Sequence, residues 1–282
     1  EAHWLATSYI AIIVLSFKAI MRTSKIKNIV RMLCYISILL IIAARIILAT
    51  DVLPEKLDKN TQFHKWENWA EKIADHAEGR PVLFINKYQM PSKYTFYTGD
   101  FATTLNTIFY HRTQYDLWNY EDSLQGKEVL LTKTKTPTDT VYTKGTKDVH
   151  YEAIDNFRSY FNSVKIKVTP KEMKAKTTDS LDVTLNIINT SNRELNFQQN
   201  PELPYHLAYY IFSNGKLIDG FNKLQSVELT NIPKNDTIKT TVTLPPVKKP
   251  GTFTLHFCVE TKKLPAANNG GKLKLKINKN DS

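Results

Sequence analysis

Cysteine is scarce in this chain of 282 residues, which contains only two, Cys34 and Cys258. Cys34 lies in an apolar run near the start, whereas Cys258 lies in a strand-like segment far downstream, so no disulfide between them is expected. The chain must therefore fold through ordinary hydrophobic cores. Its length is too great for one ordinary domain and suits two small domains with an anchor.

Glycine and clustered metal ligands are scarce as well. Only nine glycines are present, and no glycine-rich loop follows a predicted strand, so a nucleotide-binding function has no support. His64 and His76 lie more than three helical turns apart on one predicted helix, and no metal site is predicted. No Gly-x-Ser-x-Gly sequence or cysteine–histidine pair indicates a hydrolase.

Acidic residues are absent between Glu1 and Asp51, a stretch that holds two apolar runs at 4–21 and 29–49. Each run has about the 20 residues that a helix needs to cross the hydrocarbon core of a bilayer. A basic connector of about seven residues separates them, so the sequence predicts a transmembrane helical hairpin within residues 1–50. Because basic loops favour the cytoplasmic side, everything downstream is expected outside the cytoplasm.

The net charge of +11 comes mainly from lysines spread along the chain. A nucleic-acid-binding surface would need clustering, so no nucleic-acid partner is predicted. The favoured interpretation is a solvated basic surface that tolerates anionic lipid headgroups. Because the first residue is Glu1 and apolar sequence follows at once, the chain is expected to be the carboxy-terminal piece of a longer membrane protein.

Residues 58–150 have the pattern of a small α/β domain. Apolar residues recur at three- and four-residue steps in the first predicted helix, and a continuous apolar run then predicts a buried strand. The predicted elements, in the order helix, strand, helix, strand and strand, lie at 61–79, 81–85, 91–97, 104–109 and 128–132.

Residues 164–282 have a different pattern, in which apolar and polar residues alternate. The alternation is clearest at 164–168 and 181–187, and turn residues separate about six or seven predicted strands. This pattern favours an antiparallel immunoglobulin-like β-sandwich, a kind of module that rarely catalyses reactions. The predicted fold class is therefore multi-domain: a transmembrane α-hairpin, a small α/β domain and an immunoglobulin-like antiparallel β-sandwich.

Two aromatic-rich runs of the α/β domain carry a resemblance to a known enzyme family. They are YQMPSKYTFY at 88–97 and RTQYDLW at 112–118. Together with the His3–Trp4 pair beside the first apolar run, they resemble the last part of bacterial glycosyltransferases of the dolichyl-phosphate-mannose protein mannosyltransferase type, which have the GT-C fold. The resemblance covers residues 1 to about 135.

The resemblance implies an activity for the full-length protein. Such an enzyme transfers a hexose or pentose from a polyprenyl-phosphate donor to a lipid, glycan or protein acceptor, on the periplasmic side of a bacterial inner membrane. In that family the catalytic carboxylate lies in the first extracytoplasmic loop, so no catalytic residue is assigned here and this chain alone is expected to be inactive. The cofactor is unknown, and a divalent cation is considered for the full-length enzyme.

The candidate site residues fall into two groups. His3, Trp4 and Arg45 are candidates for binding the lipid phosphate of the donor; for Arg45 the alternative is snorkelling to the headgroups. A second group is interpreted either as acceptor-side residues or as a hydrogen-bonded corner that fixes a loop. This second group comprises Tyr88, Arg112, Gln114, Tyr115, Asp116 and Trp118.

A non-enzymatic function remains the alternative hypothesis. In that case the hairpin is a tether and the β-sandwich is the ligand module of an anchored binding protein.

Tyr94, Phe96 and Tyr97 are predicted to form helix core rather than a platform for a sugar ring.

Overall fold

The computed structural model of the chain contains two compact units, Glu1–His64 and Lys65–Ser282. The first unit is helical where it is described, and the second is rich in β-strands. The residues that the structure describes are 6–21, 24–49, 65–118, 120–132, 139–141, 148–201, 204–224 and 227–279.

The first unit contains helices α1 (Ala6–Met21) and α2 (Ser24–Ala49), which contact each other. Within α2 the 22-residue segment Ile26–Ile47 is the one helix in the described part of the chain that is long and apolar enough to cross a membrane. Nearly all the described side chains of both helices are exposed. By its length and composition, this segment of α2 is suited to be a membrane anchor or a signal sequence.

Helix α2 begins earlier than the sequence analysis places it. The predicted second span starts at residue 29 after a connector of about seven residues, whereas the helix starts at Ser24. Serine is favoured at helix N-termini, and no glycine or proline follows it to interrupt the helix. Most of the basic connector is therefore helical, and only residues 22–23 separate the two helices.

The α/β part of the second unit has one sheet of five strands in the order β2-β1-β3-β5-β4. Strand β1 is parallel to β2 and β3, whereas β5 is antiparallel to β3 and β4. The strands are β1 (Val82–Ile85), β2 (Ala102–Leu105), β3 (Val129–Thr132), β4 (Asp139–Val141) and β5 (Val149–Ile154).

Three helices accompany this sheet: α3 (Trp66–Ala77), α4 (Gln89–Thr98) and α5 (Tyr120–Leu124). Trp69 and Ile73 lie one turn apart on α3 and are fully buried, in one cluster with Phe84 and Tyr94. Their spacing places them on one helix face, which explains why this face packs on the sheet. The predicted helices and the first strand are thus present, with slightly different ends.

Strands β4 and β5 are absent from the elements that the sequence analysis predicts. In β5 the buried Glu152 occupies a position where an apolar residue is expected, and its carboxylate pairs with Lys263 at 2.9 Å. This ion pair allows a charged side chain to be buried. The buried position therefore holds a polar residue, and the apolar–polar alternation expected of a strand is not visible in the sequence of β5. The sheet extends to Ile154, four residues beyond the predicted domain end at 150.

The strands that follow form two packed sheets and a short ribbon, with strand orders β11-β10-β14-β15-β7, β13-β8-β6 and β12-β9. Neighbouring strands are antiparallel except β15 and β7. The strands are β6 (Val164–Thr169), β7 (Glu172–Lys176), β8 (Leu181–Asn189), β9 (Leu195–Asn196), β10 (His206–Ser213), β11 (Lys216–Lys223), β12 (Asn231–Ile232), β13 (Thr237–Leu244), β14 (Gly251–Glu260) and β15 (Gly271–Asn278).

The sheets share one hydrophobic core, which continues into the α/β part. Every second residue of β8 and of β15 is buried, as expected for strands with one face against a core. Leu83 and Leu131 of the α/β sheet belong to the same buried cluster as Ile166 and Leu273 of the sandwich. Lys65–Ser282 is therefore one unit with a continuous core.

Buried polar side chains fix the segment between the α/β part and the sandwich. The Glu121 carboxylate accepts hydrogen bonds from the backbone N–H groups of Phe161, at 2.6 Å, and Asn162, at 2.7 Å. The Asn269 amide donates to the carbonyls of Tyr160, at 2.9 Å, and Val164, at 3.0 Å. These bonds satisfy backbone groups that burial removes from water, so the segment is rigidly held.

Candidate functional site

A pocket of about 300 Å³ lies between the start of α4 and the segment 111–118. Both aromatic-rich runs contribute to it, although the chain passes through strand β2 between them. The pocket is lined by Tyr88, Ser92, His111, Arg112, Thr113, Gln114, Tyr115 and Trp118.

The first side of the pocket is formed where the chain leaves β1 and enters α4. Asn86 and Lys87 have positive φ angles of 57° and 62°, and the helix follows directly after Tyr88. The Ser92 hydroxyl lies one turn further on and donates to the Tyr88 carbonyl at 3.0 Å. It also lies 3.0 Å from the Tyr115 hydroxyl, and this contact joins the two runs.

The second side is formed by a 3₁₀ turn at Gln114–Asp116. The Asp116 carboxylate accepts hydrogen bonds from the Thr113 backbone N–H and the buried Asn106 amide, both at 2.6 Å. Because charged acceptors form strong hydrogen bonds, this carboxylate fixes the turn and holds Tyr115 against Ser92. Asp116 therefore acts as the loop-fixing residue that the sequence analysis considers as its alternative role.

Aromatic rings continue from the pocket toward the start of α5. The rings of Tyr115 and Trp118 pack edge to face with centroids 5.1 Å apart, and Tyr120 lies 5.4 Å from Trp118. Phe101 packs on Tyr120 in turn, at 5.2 Å. Such arrangements are favourable for aromatic pairs and keep Trp118 in place while 43% of its surface stays exposed.

The pocket offers several groups that can bind a polar ligand. Arg112 supplies a permanent positive charge, Gln114 supplies an amide, and the tyrosines supply hydroxyls and ring faces. In the described part of the chain, no group of three or more histidine, cysteine, aspartate or glutamate side chains could hold a metal ion. The arrangement suits a ligand with hydroxyl or anionic groups and a flat apolar face.

Five of the six acceptor-side candidates line this pocket, and the sixth, Asp116, supports its wall. Ser92 and His111 also line it, although the sequence analysis does not select them. Ser92 lies within the first run, one helical turn after Tyr88, and that spacing is a signal by which it could have been found. His111 directly precedes the second run, but nothing in its local sequence separates it from an ordinary surface histidine.

The other sequence candidates lie elsewhere. His3 and Trp4 lie outside the described residues, and Arg45 lies on α2 with an exposed side chain. Of the predicted aromatic core of α4, only Tyr94 is buried, and burial raises its pKa to about 12. The core prediction is wrong for Phe96 and Tyr97, because the helical period turns them away from the sheet.

A second pocket of about 300 Å³ lies in the sandwich, against β10, β11 and the loop 245–249. Its walls include the apolar side chains of Tyr209 and Phe253 and the charged side chains of Asp219 and Lys248. It combines an apolar floor with both signs of charge, which is a common composition for small-molecule sites.

Comparison with known proteins adds little to this geometry. No protein-family model and no curated protein matches the chain. A β-glucosidase from Listeria innocua in complex with isofagomine is similar with a TM-score of 0.24 and 13% identity, over 40% of this chain and 16% of that chain. Toxic shock syndrome toxin-1, a bacterial superantigen, has a TM-score of 0.24 and 11% identity, over 41% of this chain and 99% of that chain. At these TM-scores the likeness carries no argument about fold or function.

Proposed function

We propose that this chain is the carboxy-terminal part of an integral-membrane glycosyltransferase of the GT-C type that uses a polyprenyl-phosphate sugar donor. The pocket between α4 and 111–118 is its acceptor-side site. The observation that supports the proposal is the convergence of the two runs that carry the family resemblance, since both contribute side chains to this one pocket.

The pocket residues have chemistry that suits an acceptor. The faces of Tyr88 and Trp118 stack against a sugar ring or cover the apolar part of a lipid headgroup. Arg112 pairs with a phosphate or carboxylate, and Gln114 bonds a hydroxyl. The acceptor is accordingly a lipid, a glycan or a glycosylated segment of a protein. The residues that catalyse formation of the new glycosidic bond belong to the catalytic loop of the full-length enzyme.

The membrane arrangement is part of the same proposal. Helices α1 and α2 form a transmembrane hairpin whose basic junction faces the cytoplasm, so that Lys65–Ser282 lies in the periplasm of a bacterium. In this proposal His3, Trp4 and Arg45 bind the lipid phosphate of the donor. The two sheets with strand orders β13-β8-β6 and β11-β10-β14-β15-β7 support the proposal that this part is an immunoglobulin-like sandwich, which acts as a rigid support for the pocket.

The test is transfer activity of the full-length protein in its own membranes. Trp118→Ala and Arg112→Ala remove a stacking face and a charge from the pocket, and we expect transfer to fall about tenfold or more in each variant, in line with the loss of one good contact. The KM for the acceptor rises and the KM for the polyprenyl-phosphate donor stays unchanged. Labelled sugar transferred from the donor pool to the acceptor fraction is the measurement.

The matched control is Leu217→Ala, which shortens an exposed apolar side chain on β11, outside the pocket. Its transfer rate stays that of the unmodified protein. If both pocket variants transfer sugar at the wild-type rate, at equal expression and equal thermal stability, the pocket is not the acceptor site.

The second candidate function is that of an anchored binding protein with the sandwich as ligand module, and the pocket beside loop 245–249 favours it. In that case the membranes show no transfer with any variant. Mono- and oligosaccharides are then screened for a rise in the melting temperature of the protein, and Lys248→Ala abolishes the rise.

A further inference from the structure

The two segments that border the acceptor-side pocket also carry the most exposed large apolar side chains in the described part of the second unit. Phe96 of α4 and Leu117 after the 3₁₀ turn are each 80% exposed. A single exposed apolar side chain is ordinary, but several on one surface mark an interaction site.

These side chains lie on two segments that contact each other. Tyr88, Ser92 and Phe96 are four residues apart and form a row along α4. The contact between Ser92 and Tyr115 connects this row to the turn that leads to Leu117 and Trp118. We call the surface formed by Tyr88, Phe96, Tyr97, Leu117 and Trp118 the aromatic face.

The composition of the aromatic face is that of a surface at a membrane interface. Tyrosine and tryptophan are enriched where lipid headgroups meet the hydrocarbon, because each has an apolar body and a polar tip. Phenylalanine and leucine insert more deeply and supply the apolar area that holds peripheral segments on a bilayer. None of the five side chains carries a charge that insertion would have to desolvate.

The rest of the chain points to a lipid bilayer as the occupant. Helix α2 contains a segment that is able to cross a membrane, Ile26–Ile47. From Ala49 to Lys65 the chain reaches at most about 55 Å, so a helix anchored in a membrane limits how far the second unit can lie from that membrane. The second unit holds 30 lysines and arginines against 23 aspartates and glutamates, and this excess of positive charge also attracts it to anionic headgroups.

We propose that the aromatic face lies in the headgroup region of the bilayer, with Phe96 and Leu117 inserted, so that the mouth of the acceptor-side pocket opens at the membrane surface. This docking surface rests on the membrane anchor of the proposed function and on the exposure of the face, but not on any transfer reaction. It places the pocket where only membrane-bound or membrane-proximal molecules reach it.

The test measures depth in the bilayer at single positions of the full chain. Cys34→Ser leaves the buried Cys258 as the only other cysteine, and an environment-sensitive fluorophore is then attached at Phe96→Cys or Leu117→Cys. The protein is reconstituted in vesicles of neutral and anionic phospholipid, with and without nitroxide-labelled lipids. We expect an emission shift to shorter wavelength, at least a twofold rise in intensity, and quenching by nitroxides near the headgroups.

The matched control is the same fluorophore at Leu217→Cys on β11, another exposed leucine that lies outside the aromatic face. Its emission stays that of a label in water. Water-like emission at positions 96 and 117 overturns the proposal. A shift that nitroxide lipids do not quench, or that disappears when protein is diluted in lipid, indicates a second copy or another protein on the face and overturns it as well.

A functional variant separates this proposal from the assignment of the pocket. Phe96→Ser with Leu117→Ser changes two exposed side chains that do not line the pocket. We expect the melting temperature to stay unchanged and the fluorophore at Tyr97→Cys to lose at least half of its nitroxide quenching. Unchanged quenching in this variant shows that Phe96 and Leu117 do not hold the face on lipid, whatever Trp118→Ala does to transfer.

Discussion

Replacement of Glu121 by alanine is the most direct test of how the second unit is held together. Only 2% of this side chain is exposed, and its carboxylate accepts hydrogen bonds from the Ser159 hydroxyl and from two backbone N–H groups. Alanine leaves these donors without their acceptor in a region from which water is excluded. Each such donor costs about 1–3 kcal/mol, so we expect a loss of about 3–5 kcal/mol in the free energy of unfolding.

That loss is a large share of the stability of an ordinary domain, which is about 5–15 kcal/mol. The assay is urea denaturation of the full chain in detergent, followed by tryptophan fluorescence. The control is Glu172→Ala, which removes an exposed carboxylate that pairs with Lys274 at 2.9 Å, and no measurable change is expected for it. A Glu121→Ala variant as stable as the control would refute the reasoning that this carboxylate fixes the segment.

The same carboxyl group makes a prediction about pH. Burial raises the pKa of Glu121, although the bonds from Ser159 and the backbone and the charge of Arg193 oppose the increase. The folded state therefore retains a proton more readily than the unfolded state, and the stability that this provides is lost as the pH rises through the folded pKa. The glutamine of Glu121→Gln cannot titrate. The difference in free energy of unfolding between this variant and the unmodified protein therefore shrinks as the pH rises above the pKa that Glu121 has in the unfolded state. A difference in free energy of unfolding that grows with pH would mean that the hydrogen-bond donors lower the pKa of Glu121 more than burial raises it.

Two further predictions concern packing and the pocket wall. Gly271→Ala would place a methyl group 2.8 Å from a side-chain carbon of Ile166 and 3.0 Å from one of Phe257. We expect this overpacking to lower the free energy of unfolding by about 1–3 kcal/mol in the same urea assay. The control is Gly220→Ala, whose added methyl group meets nothing within 4 Å. Asp116→Asn weakens the hydrogen bonds that fix the 3₁₀ turn, so we expect the free energy of unfolding to fall by about 1 kcal/mol. Acrylamide should also quench the tryptophan fluorescence faster, and Trp118→Phe should abolish this increase in quenching. Quenching identical to that of the unmodified protein would show that the turn does not depend on this carboxylate.

Local periodicity made much of the secondary structure predictable. Helices α3 and α4 and the alternating strands β6 and β8 follow from residue spacing, because the face that each element buries is repeated along its own sequence. Helix α2 starts at Ser24, before the apolar run at 29–49, because the polar residues ahead of that run can continue a helix although they add nothing to the apolar pattern. Strand β5 was missed because Glu152 is buried through its pairing with Lys263, a partner that lies far along the chain.

The sequence by itself determined that the chain has an apolar amino-terminal region, a β-rich remainder and two aromatic-rich runs. It did not determine that these runs line one pocket, because their meeting depends on β2 lying beside β1 and on the contact between Ser92 and Tyr115. The sequence alone allows Asp116 to be an acceptor-side residue or a residue that fixes a loop, and its bonds with Asn106 and Thr113 show that it fixes the turn. Contacts between distant residues are set by the packing of whole elements, and for this reason only the tertiary structure decided which candidate side chains share a site.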